Sequence, residues 1–210
     1  MGEQGLLGSA KQGDVEADLE LCLDFTGTVD WRTSGHPEES LGTFSSLLGW
    51  CVKKGVVDEA QADHLGRSAK GEGSSEKTLA EAKALREALY GIFIGVARGG
   101  EAKESDLQIL SRALAKAMSK ASLSKGEGGY EWGWKGIESP EMVLFPIARS
   151  AARLLTSDDL GRVKECANVE EGCGSMFIDR SKGRSRRWCS MSSCGNKAKY
   201  RTYARKHPKE

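Results

Sequence analysis

The stretch CANVEEGCGSMFIDRSKGRSRRWCSMSSCGN, residues 166–196, holds four of the chain's six cysteines. No other feature limits the fold as strongly, because thiols gathered this way are disulfide-bonded, redox-active or metal-bound. The amino-terminal MGEQGLLGSAKQGDVEADLE lacks the basic start and apolar core of a secretory signal, so a cytoplasmic location is expected. No apolar run reaches the roughly 18 residues of a membrane span, so no membrane partner is expected. In a reducing cytosol, clustered thiols bind metal or do catalysis more often than they form disulfides.

Spacing sharpens that preference. Cys166 and Cys173 form one pair, and Cys189 and Cys194 form a second. A redox dithiol needs a tight C-x-x-C so that one thiol can attack its neighbour's mixed disulfide, and neither pair has that spacing. Two short cysteine turns brought together supply the four thiolates of a tetrahedral structural zinc ion, so one Zn2+ on Cys166, Cys173, Cys189 and Cys194 is the expectation. Four sulfurs complete the tetrahedron, which leaves His207 as a helix-end residue. Trp188 and Phe177 read as the small apolar core of a module too short to fold without its metal. Cys22 and Cys51, in LELCLDF and LLGWCVKK, read as small core residues.

Charge divides the chain at the same place. Residues 161–210 carry 13 lysines and arginines against 5 acids, an excess of +8; removing them from the totals of 31 and 30 leaves 18 against 25, or −7. Such asymmetry is the electrostatic footprint of a nucleic-acid-binding tail, and DNA is the expected partner. Arg184, Arg186 and Arg187 fall between the cysteine pairs, where they would clamp phosphates. NKAKYRTYARKH then reads as a helix bearing Lys197, Lys199, Arg201 and Arg205. Lys197, Arg201 and Arg205 at i, i+4, i+8 line one face, and Tyr200, Tyr203, Ala204 and His207 form another that could pack on the module. A solvated tail, or a patch that docks the acidic part of the chain, is the protein-only alternative.

The expected division is a flexible segment at 1–15, a compact domain at 16–160 and the cysteine module at 161–210. The fold class is α+β, mostly helical, with a small antiparallel sheet in the first domain and a treble-cleft-like or ribbon-like zinc module ending in a basic helix. Leu19, Leu21, Leu23 and Phe25 alternate and predict a strand. TFSSLLGWCVKKG predicts a helix that buries Phe44, Leu47, Leu48, Cys51 and Val52 and stops at Gly55. DEAQADHLGRSAK predicts a shorter one, GEGSS a loop, and residues 76–98 the longest helix, burying Leu79, Ala82, Leu89, Phe93 and Val96. Ser105 with Gln108 suggests a capping box for a helix whose Leu107, Leu110, Leu114 and Met118 share a face. ASLSKGEGGYEWGWKGI has the glycines and aromatics of a hairpin that could pair with the first strand. Pro140 opens the last helix of this domain and Pro146 is expected to kink it.

RRWCSMSSCGN followed by a basic helix, and preceded by C…CGSMFIDRS, resembles the CGNR zinc-finger family of bacterial proteins. Upstream, LELCLDFTGTVDWR, LLGWCVKKGVVD, ALREALYGIF, YEWGW and LFPIARSAARLLTS resemble the ABATE domain that typically precedes that finger. Two departures stand out in the finger: six residues separate Cys166 from Cys173 where the family usually has four, which lengthens the knuckle around Glu170, Glu171 and Gly172, and Lys197 stands where the family's name has arginine. In the ABATE part, Gly27 replaces a frequent asparagine. The resemblance implies a stress-induced transcription regulator in which the finger contacts DNA.

Chemistry in the first domain is harder to find. No nucleophile-base set, phosphate-cradling glycine motif or H-E-x-x-H is present, so no enzymatic activity is expected. Arg86 and Arg149 interrupt apolar helical stretches. Pointing inward, they could converge with Asp24, Thr28, Trp31 and Trp132 on a pocket for a small anionic effector; pointing outward, they would lie over apolar neighbours with their charge in water. The expected function is a DNA-binding regulator with an amino-terminal sensor. A protein-interaction adaptor whose finger docks a partner stays as the alternative. A homodimer also stays open, although no heptad seam is present to build one.

Overall fold

The computed structural model describes residues 12–69, 73–126, 129–134 and 139–207. Helix α1 spans Gln12–Thr26 and so begins ahead of the expected boundary at residue 16, while residues 1–11 of the expected flexible segment lie outside the described residues. The predicted strand over Leu19–Phe25 is thereby corrected to the second half of α1. Between Asp18 and Thr26 only Asp24 is exposed, while Leu19, Leu21, Cys22, Leu23 and Phe25 are all buried. A helix buried around most of its girth keeps only a narrow polar stripe, here Glu20 and Asp24 at i and i+4, so the apolar residues around them fit alternation as well as a helical period.

A two-residue ribbon follows, β1 Val29–Asp30 antiparallel to β2 Glu38–Glu39. Helix α2, Phe44–Lys53, begins at a capping box in which Thr43 and Ser46 satisfy each other's backbone N–H groups, and stops where Gly55 takes φ 67°. It buries Phe44, Leu47, Leu48 and Cys51. Helix α3, Glu59–Ser68, has a second box between Asp58 and Gln61. Helix α4, Ser74–Ala97, is the longest, and buries Ala82, Leu85, Leu89, Ile92 and Phe93.

Helix α5, Glu104–Ser119, starts one residue before Ser105, which corrects the expected Ser105/Gln108 box. Gln108 Nε2 donates to Glu104 Oε1 instead. Its buried residues are Leu110 and Ala117, while Met118 is 51% exposed, so the core-facing stripe is rotated from the one predicted. Among the described residues, strands β3 Ala121–Gly126 and β4 Gly129–Trp134 pair only with each other, so this hairpin does not join the first segment. A 3-10 turn at Pro140–Leu144 leads into α6, Phe145–Leu155. Pro146 lies in the first turn of α6, where its missing N–H costs nothing, and it starts the α-helix; the expected kink is corrected.

Helices α1, α4, α5 and α6 pack together. Strand β5, Val163–Glu165, pairs antiparallel with β6, Met176–Ile178, against α4 and α1. Val163, Met176 and Ile178 belong to the same continuous core as the helices. A separate small cluster contains Cys166, Cys173 and Cys194, with Trp188 and Cys189 packed against it. The chain ends in helix α7, Asn196–Lys206, with His207 as its C-cap.

Candidate metal centre and interdomain cleft

The β5–β6 hairpin carries the first cysteine pair in its loop, and the turn entering α7 carries the second. Cys166 N donates to Ser175 O at 2.9 Å, closing the hairpin just beyond β5. A 3-10 turn at Val169–Glu171 and left-handed Gly172 and Gly174, at φ 94° and 64°, fold the long knuckle around Cys173. Buried Asn168 ties the two halves together: its Nδ2 donates to Cys194 O at 2.7 Å, and its Oδ1 accepts from Arg201 at 2.6 Å. The turn Met191–Gly195 places Cys194 one turn before α7 proper.

The four sulfurs lie within 4.8 Å of one another. Three Sγ–Sγ distances are 3.5, 3.6 and 3.7 Å, among Cys173, Cys189 and Cys194. A tetrahedron with Zn–S bonds of about 2.3 Å has edges of about 3.8 Å, so this donor set fits one zinc ion with little adjustment. Acidity points the same way. Thiol donors from Cys173 and Cys189 hold Cys166 low, at about 3, while the same crowding and burial push Cys189 upward. Four sulfurs this close ionise together only when a cation neutralises them. The cysteines are positioned to bind one zinc ion, and Cys22 and Cys51, wholly buried elsewhere, take no part.

Behind the metal site stands Asp179, whose side chain is fully buried. It accepts from Lys164 Nζ at 2.6 Å, Ser181 Oγ at 2.6 Å, Ser181 N at 3.0 Å and Arg186 N at 3.1 Å. The Lys164 ammonium and the Ser181 hydroxyl hold its carboxyl well below the usual carboxylate range. These bonds pin the loop between the cysteine pairs. Lys164, Asn168 and Asp179 were missed in the sequence, where a polar residue in a short strand or turn gives no sign that it will be buried, as Asn168 and Asp179 are, or paired with a buried group, as Lys164 is.

The seven cationic residues expected to meet DNA divide into two groups. Arg186 folds back over the metal site: it stacks 4.3 Å above the Phe177 ring and donates to the carbonyls of Trp188 and Cys189. Arg201 bonds Asn168 and pairs with Glu171 at 3.1 Å. Lys197 Nζ lies 3.7 Å from the Trp31 ring centroid. Arg184, Arg187, Lys199 and Arg205 are exposed and have no acidic partner among the described residues. Tyr200 and Tyr203, expected to pack on the module, are 71% and 63% exposed, because α7 turns its other side inward.

The predicted ligand pocket does not assemble. Arg86 does point inward, but its guanidinium is taken by Glu39 at 2.7 and 2.8 Å and by Thr28 Oγ1 at 3.1 Å. Arg149 pairs with Asp18 at 2.8 Å and stacks 4.7 Å from the Trp132 ring, on the α1–α6 side. Asp24 accepts from Lys54, and Trp31, at φ 51°, faces the finger helix. Of the six residues only Asp24 and Thr28 share a cavity, and Trp31, Arg86, Trp132 and Arg149 lie outside it. What does form is a cleft of about 410 Å³ between the helical part and the finger. Asp24, Thr28, Trp50 and Lys53 line one wall, and Phe177 and Arg186 line the other.

The class of protein is now defined: a helical domain that shares its core with a four-thiolate zinc module ending in a basic helix. The chain belongs to the ABATE family, described as "Putative stress-induced transcription regulator", whose profile matches residues 19–158. Residues 162–207 match the CGNR zinc finger. Among curated proteins none matches the chain. No helix among the described residues is long and apolar enough to cross a membrane.

Proposed function

We propose that this chain is a DNA-binding transcription regulator whose zinc finger contacts the duplex and whose amino-terminal domain senses a small effector. The observation that carries the reading is the electrostatic division: +8 over residues 161–210 against −7 over the rest. Arg184, Arg187, Lys199 and Arg205 stand exposed on the finger without acidic partners among the described residues. A zinc ion with four thiolates removes two charges, which still leaves the module strongly cationic. Phosphate contacts would then dominate affinity and make it fall steeply with salt. The effector seat is the interdomain cleft, where a ligand would touch Lys53 and Asp24 on one side and Phe177 and Arg186 on the other. Arg186 holds carbonyls beside Cys189, so a ligand there presses on the metal site.

Regulation rather than catalysis is proposed, in keeping with three histidines that are all exposed and that do not line the cleft. Gel shift with genomic fragments at low and at physiological salt tests the DNA contact. Retardation at low salt that weakens as salt rises is expected; no retardation even at low salt overturns it, and leaves a finger that docks a protein.

A further inference from the structure

The sequence suggests that Lys197, Arg201 and Arg205 read the DNA, but the packing of α7 reverses this face. Ala198, Arg201, Thr202 and Arg205 line a groove of about 290 Å³ against Asn168, Arg187 and Trp188. Helical spacing therefore turns Asn196, Lys199, Tyr200 and Tyr203 to the opposite side, at i, i+3, i+4 and i+7. Burial agrees: all four are exposed, Tyr200 and Tyr203 heavily so. Two large aromatic rings, Tyr200 and Tyr203, the latter partly covered by His207 at 4.6 Å between centroids, stay mostly in water on an otherwise polar helix and are an unfinished contact. Their surroundings select the partner, since α7 contains no acid from Asn196 to Lys206 and the module carries the chain's positive excess.

We propose that α7 enters the DNA major groove with Asn196, Lys199, Tyr200 and Tyr203 against the base edges, while Arg187 and Arg205 on its flank hold backbone phosphates. This rests on the proposed DNA-binding role and assigns the residues within it. Eleven residues make a helix of about 16 Å, long enough to lie across a groove about 12 Å wide. Lys199, with no partner among the described residues, supplies the ammonium that recognises guanine O6 and N7. Tyr200 and Tyr203 offer rings to thymine methyl groups and hydroxyls to base edges. The Asn196 amide already donates to Ser192 O at 3.1 Å, so its oxygen remains as an acceptor for a base amino group. Arg187 and Arg205 face one groove whose floor also carries Glu170 and Glu171, the latter paired with Arg201, and neither arginine has an acidic partner among the described residues. Arg201, tied to Glu171 and Asn168, shapes that groove and is not a reader.

The test is enrichment of bound sequences from duplex DNA with a randomised core, with the full zinc-loaded chain. The wild type is expected to enrich one motif. The triple variant Lys199→Ala, Tyr200→Ala, Tyr203→Ala is expected to keep its zinc and to bind unselected duplex at low salt with no more than the loss of one cation's share, but to lose preference for the motif by roughly tenfold or more per contact. Arg187→Ala and Arg205→Ala are each expected to weaken binding equally on motif and unselected duplex, and to reduce the salt slope by about 1. Lys199→Ala alone should relax the motif at a single position, and decides the matter if the triple variant loses its zinc. A triple variant that enriches the unchanged motif overturns the assignment while leaving DNA binding intact. So does a wild type that binds duplex without enriching any motif, or a tyrosine variant that alters oligomeric state but not DNA selection. A wild type that binds no duplex at any salt overturns the DNA reading itself.

Discussion

Replacing Glu39 by glutamine isolates the carboxylate that Arg86 holds in the amino-terminal domain. Arg86 reaches Glu39 through two bonds of 2.7 and 2.8 Å, with the arginine side chain 4% exposed and the glutamate side chain 36% exposed. The bonds to Arg86 lower Glu39 from 4.5 to about 2. That displacement corresponds to about 3.4 kcal/mol at 1.36 kcal/mol per unit, and exposure of the carboxylate to solvent reduces it by about half, to about 1.5 kcal/mol. The folded value lies below the unfolded one, so the stabilisation is complete above about pH 5.5 and is lost as pH falls from 4.5 toward 2. About three-fifths of it should be gone at pH 3. The assay is urea unfolding of wild type and Glu39→Gln at pH 6 and at pH 3. The variant should be about 1.5 kcal/mol less stable at pH 6, and the gap should close by about 1 kcal/mol at pH 3. Zinc loss in acid affects both proteins alike and cancels from the comparison. A gap that stays constant or widens on acidification refutes the claim that Arg86 holds this carboxylate ionised.

Purified protein should contain one zinc per chain by elemental analysis, and a strong chelator should remove both the metal and the α7 helical signal in circular dichroism, a stabilisation of the order of 10 kcal/mol. Arg186→Ala should lower zinc affinity by roughly tenfold in chelator competition, because its guanidinium holds the carbonyls on either side of Cys189; unchanged affinity would return Arg186 to the role of a free phosphate clamp. Gly172→Ala should cost roughly 2 kcal/mol in thermal unfolding, since φ is 94° and the new Cβ would stand 2.6 Å from Ser34 Cβ. Arg86→Met should cost roughly 3 kcal/mol, as it leaves Glu39 and Thr28 without their shared donor.

The metal ligands were legible in the sequence because four thiols within 29 residues have few uses. The apolar stripe of α2 and its stop at Gly55 were readable for the same local reason, while the caps at Thr43 and Asp58, which act through neighbours three residues away, went unread. What failed was whatever depended on distant surroundings. Leu19–Phe25 looked like a strand because α1 is covered on nearly every side. Arg86 and Arg149 were recognised as unusual, but their partners Glu39 and Asp18 lie 47 and 131 positions away. The inward face of α7 was misjudged because tyrosine reads as core and arginine as surface, whereas Arg201 is needed inside by Asn168 and Glu171.

The long knuckle does more than bracket Cys173. Gly172 and Gly174 lie flush against Ser34, Thr33 and Arg32, where even a methyl group has no room, and Thr33 donates its N–H to the carbonyl of Gly172 and its hydroxyl to that of Val169. The two glycines that flank Cys173 key the finger into the helical part like a tenon. A chimera that grafts this finger onto a foreign sensor would have to import the 31–34 turn as its mortise.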